Sequence, residues 1–209
     1  AVDISAGGIS FDNKKFKLNN INVRNNNKNV YKLIMVGNYY WQKDHETLIK
    51  AINIVKIQGH KIELHLVGGQ NKELLEYNQI LVRKLNLHSI VHFHQNKRVE
   101  GKFLEQFDLF IFSTKSERMP IAPLEAMGCS LPVLVSDIPP NMELIRFGED
   151  GLFFETGSSE SCANEIIRFI NNPKYRESMS KVAFLRSKEF YADKIVRKLE
   201  NEYRKALYQ

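Results

Sequence analysis

The sequence has little cysteine and no long apolar run. Its two cysteines, Cys129 and Cys162, are too few for a disulfide framework and do not have the spacing of metal ligands. A reducing, cytoplasmic setting is therefore expected. No apolar run approaches the roughly 20 residues of a membrane span, and the first residues, AVDISAGG, do not have the architecture of a signal peptide. Any membrane contact is expected to be peripheral, at the inner face of the cell membrane.

Two glycine motifs of nucleotide-binding proteins are also absent. The G-x-G-x-x-G fingerprint occurs nowhere, and neither does the glycine-rich loop that ends in Lys-Ser/Thr. Their absence argues against a dinucleotide-dependent oxidoreductase. Ser116 and Ser136 do not lie in a nucleophile elbow, and no Ser-His-Asp or Cys-His arrangement stands out.

Composition and charge are those of an ordinary globular protein. The chain has 209 residues, of which 43% are hydrophobic and 26% charged, with a net charge of +6. This charge would suit nucleic acid, an anionic membrane surface or a phosphorylated ligand. Because the basic residues are scattered and no aromatic-interleaved basic stripe occurs, nucleic acid is not expected to be a partner.

Apolar strands and amphipathic helices alternate along most of the chain. Residues 1–29 lack periodicity and are rich in asparagine, which is typical of a linker or lead-in. From Val30 onwards, strands are predicted at 31–37, 62–68, 90–94, 108–113, 131–136 and 151–154, and helices at 46–57, 73–85, 99–107, 125–128 and from 155 to the end, with a turn at Pro139-Pro140. This alternation predicts a Rossmann-like α/β fold with a parallel sheet and helices on both faces. In such sheets the loops after the carboxyl ends of the strands line one ligand site.

The last segment, residues 191–209, predicts an amphipathic helix. Its apolar residues recur at intervals of three and four: Ala192, Ile195, Val196, Leu199, Tyr203, Ala206 and Leu207. Packing of this stripe on its own domain is the favoured interpretation. The alternative is docking on a partner domain that the chain does not contain.

The stretch SERMPIAPLEAMG, residues 116–128, places Glu117 and Glu125 eight positions apart around an apolar segment. It follows a predicted buried strand, and Pro123 is suited to the first turn of a helix. The sequence therefore predicts a strand, a loop and a helix whose first N–H groups form an anion site between two carboxylates. Asn38 and Lys43 follow the first strand and are expected to face the same cleft, which would suit a diphosphate.

Histidines offer a weaker signal. His92-x-His94, with His65 and His88 elsewhere, suggests zinc, but zinc would require a further ligand that the sequence does not mark. Packing within strands and loops is the expected role, and no metal site is predicted.

Ten short stretches, spread over residues 30–190, occur in a characteristic order. They are Val36-Gly37-Asn38, Gln42-Lys43-Asp44-His45, Leu48-Ile49-Lys50-Ala51, Leu66-Val67-Gly68-Gly69, Val91-His92-Phe93, Asp108-Leu109-Phe110, Ser116-Glu117, Pro123-Leu124-Glu125-Ala126-Met127, Leu131-Pro132-Val133 and Gly151-Leu152. In this order they resemble the retaining glycosyltransferases of family 4, also called group 1, which have two facing Rossmann-like domains (the GT-B fold). The resemblance is to the C-terminal, donor-binding half. It implies a donor-binding domain at 30–190 and a missing N-terminal acceptor domain, without which this fragment is expected to be inactive.

The resemblance implies roles for three charged residues. Glu125 matches the carboxylate that accepts hydrogen bonds from the ribose hydroxyls of the nucleotide, and Glu117 matches the one that holds hydroxyls of the donor sugar. Lys43 matches the phosphate-binding lysine. Glu117 and Lys43 are thus the expected catalytic residues.

The resemblance also implies further donor contacts. Gly37 and Asn38 belong to the first loop, where many members have an arginine in place of Asn38. In the segment Met119-Pro120-Ile121-Ala122, which replaces an aromatic-glycine pattern, the N–H groups of Ile121 and Ala122 would hold the diphosphate. Lys97 and Arg98 fall where the family contacts the base. Pro139-Pro140 replaces a glycine pair.

The function implied is transfer of a hexose or N-acetylhexosamine from a nucleoside-diphosphate sugar, with UDP favoured. The acceptor would be a glycan or a polyprenyl-diphosphate-linked glycan in bacterial surface polysaccharide synthesis. No metal or other cofactor is expected. The alternative is a noncatalytic module that binds nucleotide sugars, although the presence of Lys43, Glu117 and Glu125 argues against it.

Overall fold

A computed structural model of the chain describes residues 29–95 and 97–207. Within these residues six parallel strands form one sheet in the order β3-β2-β1-β4-β5-β6. The strands are β1 (Tyr31–Val36), β2 (Ile62–Val67), β3 (Val91–His94), β4 (Leu109–Phe112), β5 (Val133–Ser136) and β6 (Gly151–Phe154). The helices are α1 (His45–Ile57), α2 (Lys72–Lys84), α3 (Gly101–Leu104), α4 (Ile121–Gly128), α5 (Pro139–Leu144), α6 (Ser159–Asn171), α7 (Pro173–Ser187) and α8 (Ala192–Leu207), with a 3-10 turn at Lys188–Phe190.

Helices cover both faces of this sheet. Successive residues of β1 point to opposite faces, and accordingly Leu33 and Met35 belong to one apolar cluster and Ile34 to another. The first cluster packs the sheet against α1 and α6, and the second packs it against α4. The predicted fold class, a Rossmann-like parallel sheet with helices on both faces, is confirmed.

The sheet changes direction at its centre, and this positions the ligand site. From β1 the chain proceeds outward to β2 and β3, then returns to place β4 on the other side of β1. A crevice therefore opens between the loops that follow β1 and β4, as expected at a topological switch point.

Two local predictions were wrong. The helix predicted over residues 99–107 is limited to α3, because Phe107 is buried against the sheet and the next residue already bonds to β1 through Lys32. Pro139-Pro140 opens α5 instead of a turn, since the first helical positions do not need an N–H donor. Pro123 lies in the first turn of a helix, as predicted: α4 begins at Ile121, and the N–H that its third residue lacks would have no partner within the helix.

The C-terminal segment forms the predicted helix α8. Ile195 is buried, whereas Val196, Tyr203 and Leu207 are exposed. Within the described residues, burial of the stripe is thus strongest at Ile195, and Leu199 is half-buried. The lead-in predicted for residues 1–29 lies outside the described residues except for Asn29, and the division into segments stays a prediction. In the described part, no helix has both the length and the apolar character that crossing a membrane requires.

The loops after β1 and β2 approach each other so closely that one position requires glycine. A Cβ atom on Gly68 would lie 2.1 Å from the carbonyl oxygen of Gly37. We expect Gly68→Ala to cost about 1–3 kcal/mol of stability through overpacking, which lowers the melting temperature by roughly 2–4 °C per kcal/mol.

The matched control is Gly37→Ala, whose new Cβ would meet only the Lys43 side chain at an ordinary 3.5 Å. Melting curves of both variants test the expectation. If the two variants have the same melting temperature, the close approach of the loops does not constrain the fold.

Candidate functional site

A cleft of about 460 Å³ lies at the carboxyl ends of β1, β2 and β4. Nine of the residues predicted for the site line it: Gly37, Asn38, Lys43, Lys97, Glu117, Met119, Ile121, Ala122 and Glu125. Two predicted residues lie outside its lining. Arg98 is exposed and pairs with Glu100 at 2.8 Å, and Pro120 is buried as the N-cap of α4.

Lys43 and Glu117 form an ion pair in the cleft, although they are 74 positions apart in the chain. The Lys43 ammonium donates a hydrogen bond to the Glu117 carboxylate, and both side chains are mostly buried, at 17% and 20% exposure. The same ammonium lies 4.2 Å from the ring centroid of Phe112, at the end of β4. A charged donor of this kind forms stronger hydrogen bonds with anionic groups than a neutral donor does.

The loop that carries Lys43 is fixed by bonds to the loop after β4. The Asp44 N–H donates to the Ser113 carbonyl at 3.1 Å, and the Lys115 N–H donates to the Gln42 carbonyl at 2.7 Å. Asp44 also caps α1 by accepting a hydrogen bond from the Thr47 hydroxyl at 2.7 Å. Because Lys43 directly precedes this helix cap, its backbone is fixed, which limits the positions that its side chain reaches.

The first turn of α4 is the second element that the sequence predicts to bind an anion. Its N–H groups have no partner within the helix, and its dipole presents partial positive charge to the cleft. Ile121 and Ala122 both line the cleft, as predicted. The Ile121 N–H, however, already donates to the Met119 carbonyl at 2.9 Å. A ligand would have to displace this carbonyl to use that donor, so that the expectation for Ile121 stays a prediction.

Asn38 ties the first two loops together. Its side-chain oxygen accepts a hydrogen bond from the Gly69 N–H at 3.1 Å, and the Tyr39 N–H donates to the Gly69 carbonyl at 3.1 Å. The side-chain NH₂ of Asn38 is the group left to donate toward a ligand. Asn38 therefore shapes the cleft in addition to lining it.

Sequence reasoning missed a second, larger cleft of about 690 Å³ that shares Lys43 and Glu117 with the first. Its other lining residues are Tyr40, Trp41, Gln42, Ser116 and Arg118. Trp41 is 69% exposed, which is unusual for so large an apolar ring. The signal was visible in the sequence as the aromatic pair Tyr40-Trp41 in the loop after the first strand.

His45 packs against the loop that carries Lys43 and stabilises it. It is buried, its ring stacks on Tyr39 at 4.5 Å, and its Nδ1 lies 2.8 Å from the Lys43 carbonyl oxygen. Burial lowers the pKa of His45 from 6.5 to about 4. Between these pH values His45 is protonated in the unfolded chain but neutral in the folded chain.

We therefore expect stability to be complete above about pH 6.5 and to fall as the pH is lowered toward 4, by on the order of 3 kcal/mol through His45 alone. Urea unfolding at a series of pH values, compared with His45→Gln, isolates this residue from the other histidines. An identical pH slope for the variant would contradict the assignment.

Sequence comparison assigns the chain to a family. Residues 16–186 match the family described as glycosyl transferases group 1. The chain belongs to this family. Its relatives include the capsular polysaccharide biosynthesis glycosyltransferase CapM of Staphylococcus aureus, which is 23% identical over 95% of this chain and 53% of its own length. Another is the O-antigen biosynthesis glycosyltransferase WclY of Escherichia coli, 30% identical over 75% of this chain and 44% of its own length. The chain thus spans about half the length of these relatives.

Two solved structures have the same fold as this chain. HepE of Anabaena, crystallised with UDP and glucose, superposes with a TM-score of 0.80 at 20% identity, over 93% of this chain and 55% of that one. The C-terminal domain of the group 1 protein LpcC of Francisella tularensis superposes with a TM-score of 0.74 at 16% identity, over 88% of this chain and 100% of that one. The parallel sheet of this chain thus has the same fold as these two solved structures.

Proposed function

We propose that this chain is the donor-binding half of a retaining glycosyltransferase of family 4. It would bind a UDP-sugar, and the whole enzyme would transfer a hexose or N-acetylhexosamine to a glycan or a polyprenyl-diphosphate-linked acceptor. The observation that carries the proposal is the Lys43–Glu117 ion pair, located between the first turn of α4 and the loop after β1, in the same cleft as Glu125.

Lys43 and α4 would bind the diphosphate. A diphosphate anion that enters the cleft replaces the Glu117 carboxylate as the partner of Lys43, and the helix dipole favours the same charge. When the bond between the sugar and the diphosphate breaks, negative charge develops on the leaving diphosphate. Preorganised donors that meet this charge stabilise the transition state. Because Lys43 and α4 supply them, no divalent ion is required in the donor cleft.

Glu117 would then be free to hold the sugar. Once Lys43 is engaged by phosphate, the carboxylate can accept hydrogen bonds from sugar hydroxyls, and Arg118 and Trp41 lie in the adjoining cleft. An exposed indole beside a carboxylate offers an apolar face and a polar edge to a sugar ring. Retention of configuration is carried over from the family resemblance.

The acceptor and cellular setting rest on relatives. The names of CapM and WclY refer to capsular polysaccharide and O-antigen synthesis. A Campylobacter jejuni relative, 24% identical over 72% of this chain and 38% of its own length, acts by its name on a diphospho-undecaprenol. We accordingly propose surface polysaccharide synthesis at the cytoplasmic side of the membrane, with the acceptor bound by an N-terminal half.

Calorimetric titration of this chain with UDP, GDP, ADP and NAD tests the proposal. A comparable C-terminal domain exists as a separate crystallised chain, so the experiment does not require the other half. We expect saturable binding of UDP, with weaker binding of the other diphosphates and none of NAD. Binding of NAD without any nucleoside diphosphate would overturn the proposal.

A further inference from the structure

We infer that Glu63, His65 and His92 bind a transition-metal ion of the zinc type at the outer edge of the sheet, away from the donor cleft. The parallel register of β2 and β3 places His65 opposite His92. Glu63 is two residues before His65 and thus points to the same face of the sheet. One ligand atom from each of the three side chains lies within 4.8 Å of the other two.

In one of its two neutral tautomers, His65 directs a lone pair at a carboxylate. Its Nδ1 lies 2.9 Å from Nε2 of His94, so that the two rings share one N–H. When His65 is the donor, its Nε2 carries a lone pair. This buried Nε2 has no hydrogen-bond partner within the part of the chain that the structure describes, and a Glu63 oxygen lies 3.7 Å away. Two acceptors that face each other across this distance are stabilised by a cation between them.

The arrangement matches what zinc sites require. Two imidazoles and one carboxylate are a common zinc ligand set, with water in the fourth position. A metal-bound histidine usually donates its other N–H to a further group that fixes the ring, and His94 can accept that N–H from His65. Ligand atoms around a tetrahedral zinc ion are roughly 3.3 Å apart for bonds of about 2.0–2.1 Å. To bind zinc, each pair of ligand atoms, now within 4.8 Å of each other, would therefore have to approach by about 1.5 Å at most.

Aromatic packing holds the rings in place. The His65 ring lies 4.7 Å from that of His92, and Phe107 packs edge-on against His65 at 4.9 Å. Lys32 also approaches the site, with its ammonium 3.6 Å from a Glu63 oxygen. Since Lys32 is half exposed, a metal ion can displace it into solvent. The three ligand residues are partly exposed, which leaves a path for the ion to enter.

An ion here would have a structural role. It would tie β3, the four-residue edge strand, to β2, and the segment after β3 leads to Lys97 in the donor cleft. The sequence did not mark the third ligand, Glu63, because only the register of two strands that are far apart in the chain brings it beside the histidines.

Titration of the tag-free, chelator-treated chain with Zn²⁺ alone, and with Co²⁺ followed by visible absorption, tests the inference. We expect one Zn²⁺ per chain, a tetrahedral Co²⁺ spectrum and a higher melting temperature with Zn²⁺. His92→Ala is expected to abolish saturable binding, and Glu63→Gln, which keeps the shape of the side chain, to abolish the tetrahedral spectrum. His94→Ala should weaken binding about 10- to 100-fold by removing the orienting ring.

His88→Ala is the matched control, because His88 is exposed and outside the cluster; it should bind Zn²⁺ like the unmodified chain. Absence of Zn²⁺ binding, or equal binding by His92→Ala and the unmodified chain, would overturn the inference. Since the site is separate from the donor cleft, UDP titration is unaffected by that outcome and still tests the proposed function by itself.

Discussion

Lys43→Ala is expected to weaken UDP binding about 10- to 100-fold and UMP binding much less. The ammonium is partly buried, lies over Phe112 and has the Glu117 carboxylate as its present partner. A hydrogen bond to a charged group contributes roughly 1.5–3 kcal/mol, which corresponds to that range of affinity. Removal of Lys43 also leaves the Glu117 charge facing the diphosphate. Calorimetric titration with both nucleotides measures the two losses.

The double variant Lys43→Ala/Glu117→Gln separates these two effects. It should recover part of the lost UDP affinity, because the unpaired carboxylate no longer repels phosphate. Lys50→Ala is the control for removal of a lysine charge, since Lys50 pairs with Glu46 on the exposed face of α1. UDP affinity that is the same in the Lys43 and Lys50 variants would contradict the role of Lys43.

Glu125→Ala is expected to weaken UDP binding about tenfold or more, and to do so through the ribose. Glu125 is half-buried in α4 and lines the cleft. If it accepts hydrogen bonds from the ribose hydroxyls, the unmodified chain prefers UDP to 2′-deoxy-UDP. The variant then loses most of this preference. Titrating the unmodified chain and the variant with both nucleotides gives four affinities, from which the interaction between Glu125 and the 2′-hydroxyl is calculated.

Glu76→Ala controls for the loss of a helical carboxylate, because Glu76 is exposed on α2 outside the cleft. This variant should keep the preference of the unmodified chain. A preference for UDP that persists in Glu125→Ala would assign the ribose contact to another residue.

Much of this fold was predictable because the strands are short, apolar and separated by amphipathic helices. The runs at β4 and β5 are buried along their whole length, and Ser136 at the end of β5 is their only polar residue. The rule that ligands bind beyond the carboxyl ends of parallel strands also placed Lys43 and Glu117 in one cleft. Their direct pairing was not predictable, since it depends on β4 lying beside β1.

The remaining features depend on tertiary contacts that local patterns do not encode. The helix predicted over residues 99–107 is limited to α3 because Phe107 is buried against the sheet. The Ile121 N–H is occupied by a carbonyl only two residues away, a detail of the turn that leads into α4. Glu63 joins the histidines only through strand register.

The most direct test of the central claim is a crystal structure of this chain grown with UDP. We expect the β-phosphate within hydrogen-bond distance of the Lys43 ammonium at the first turn of α4, with the Lys43–Glu117 pair broken and the ribose hydroxyls on Glu125. Nucleotide bound outside this cleft, or bound inside it with the ribose turned away from Glu125, would contradict the account.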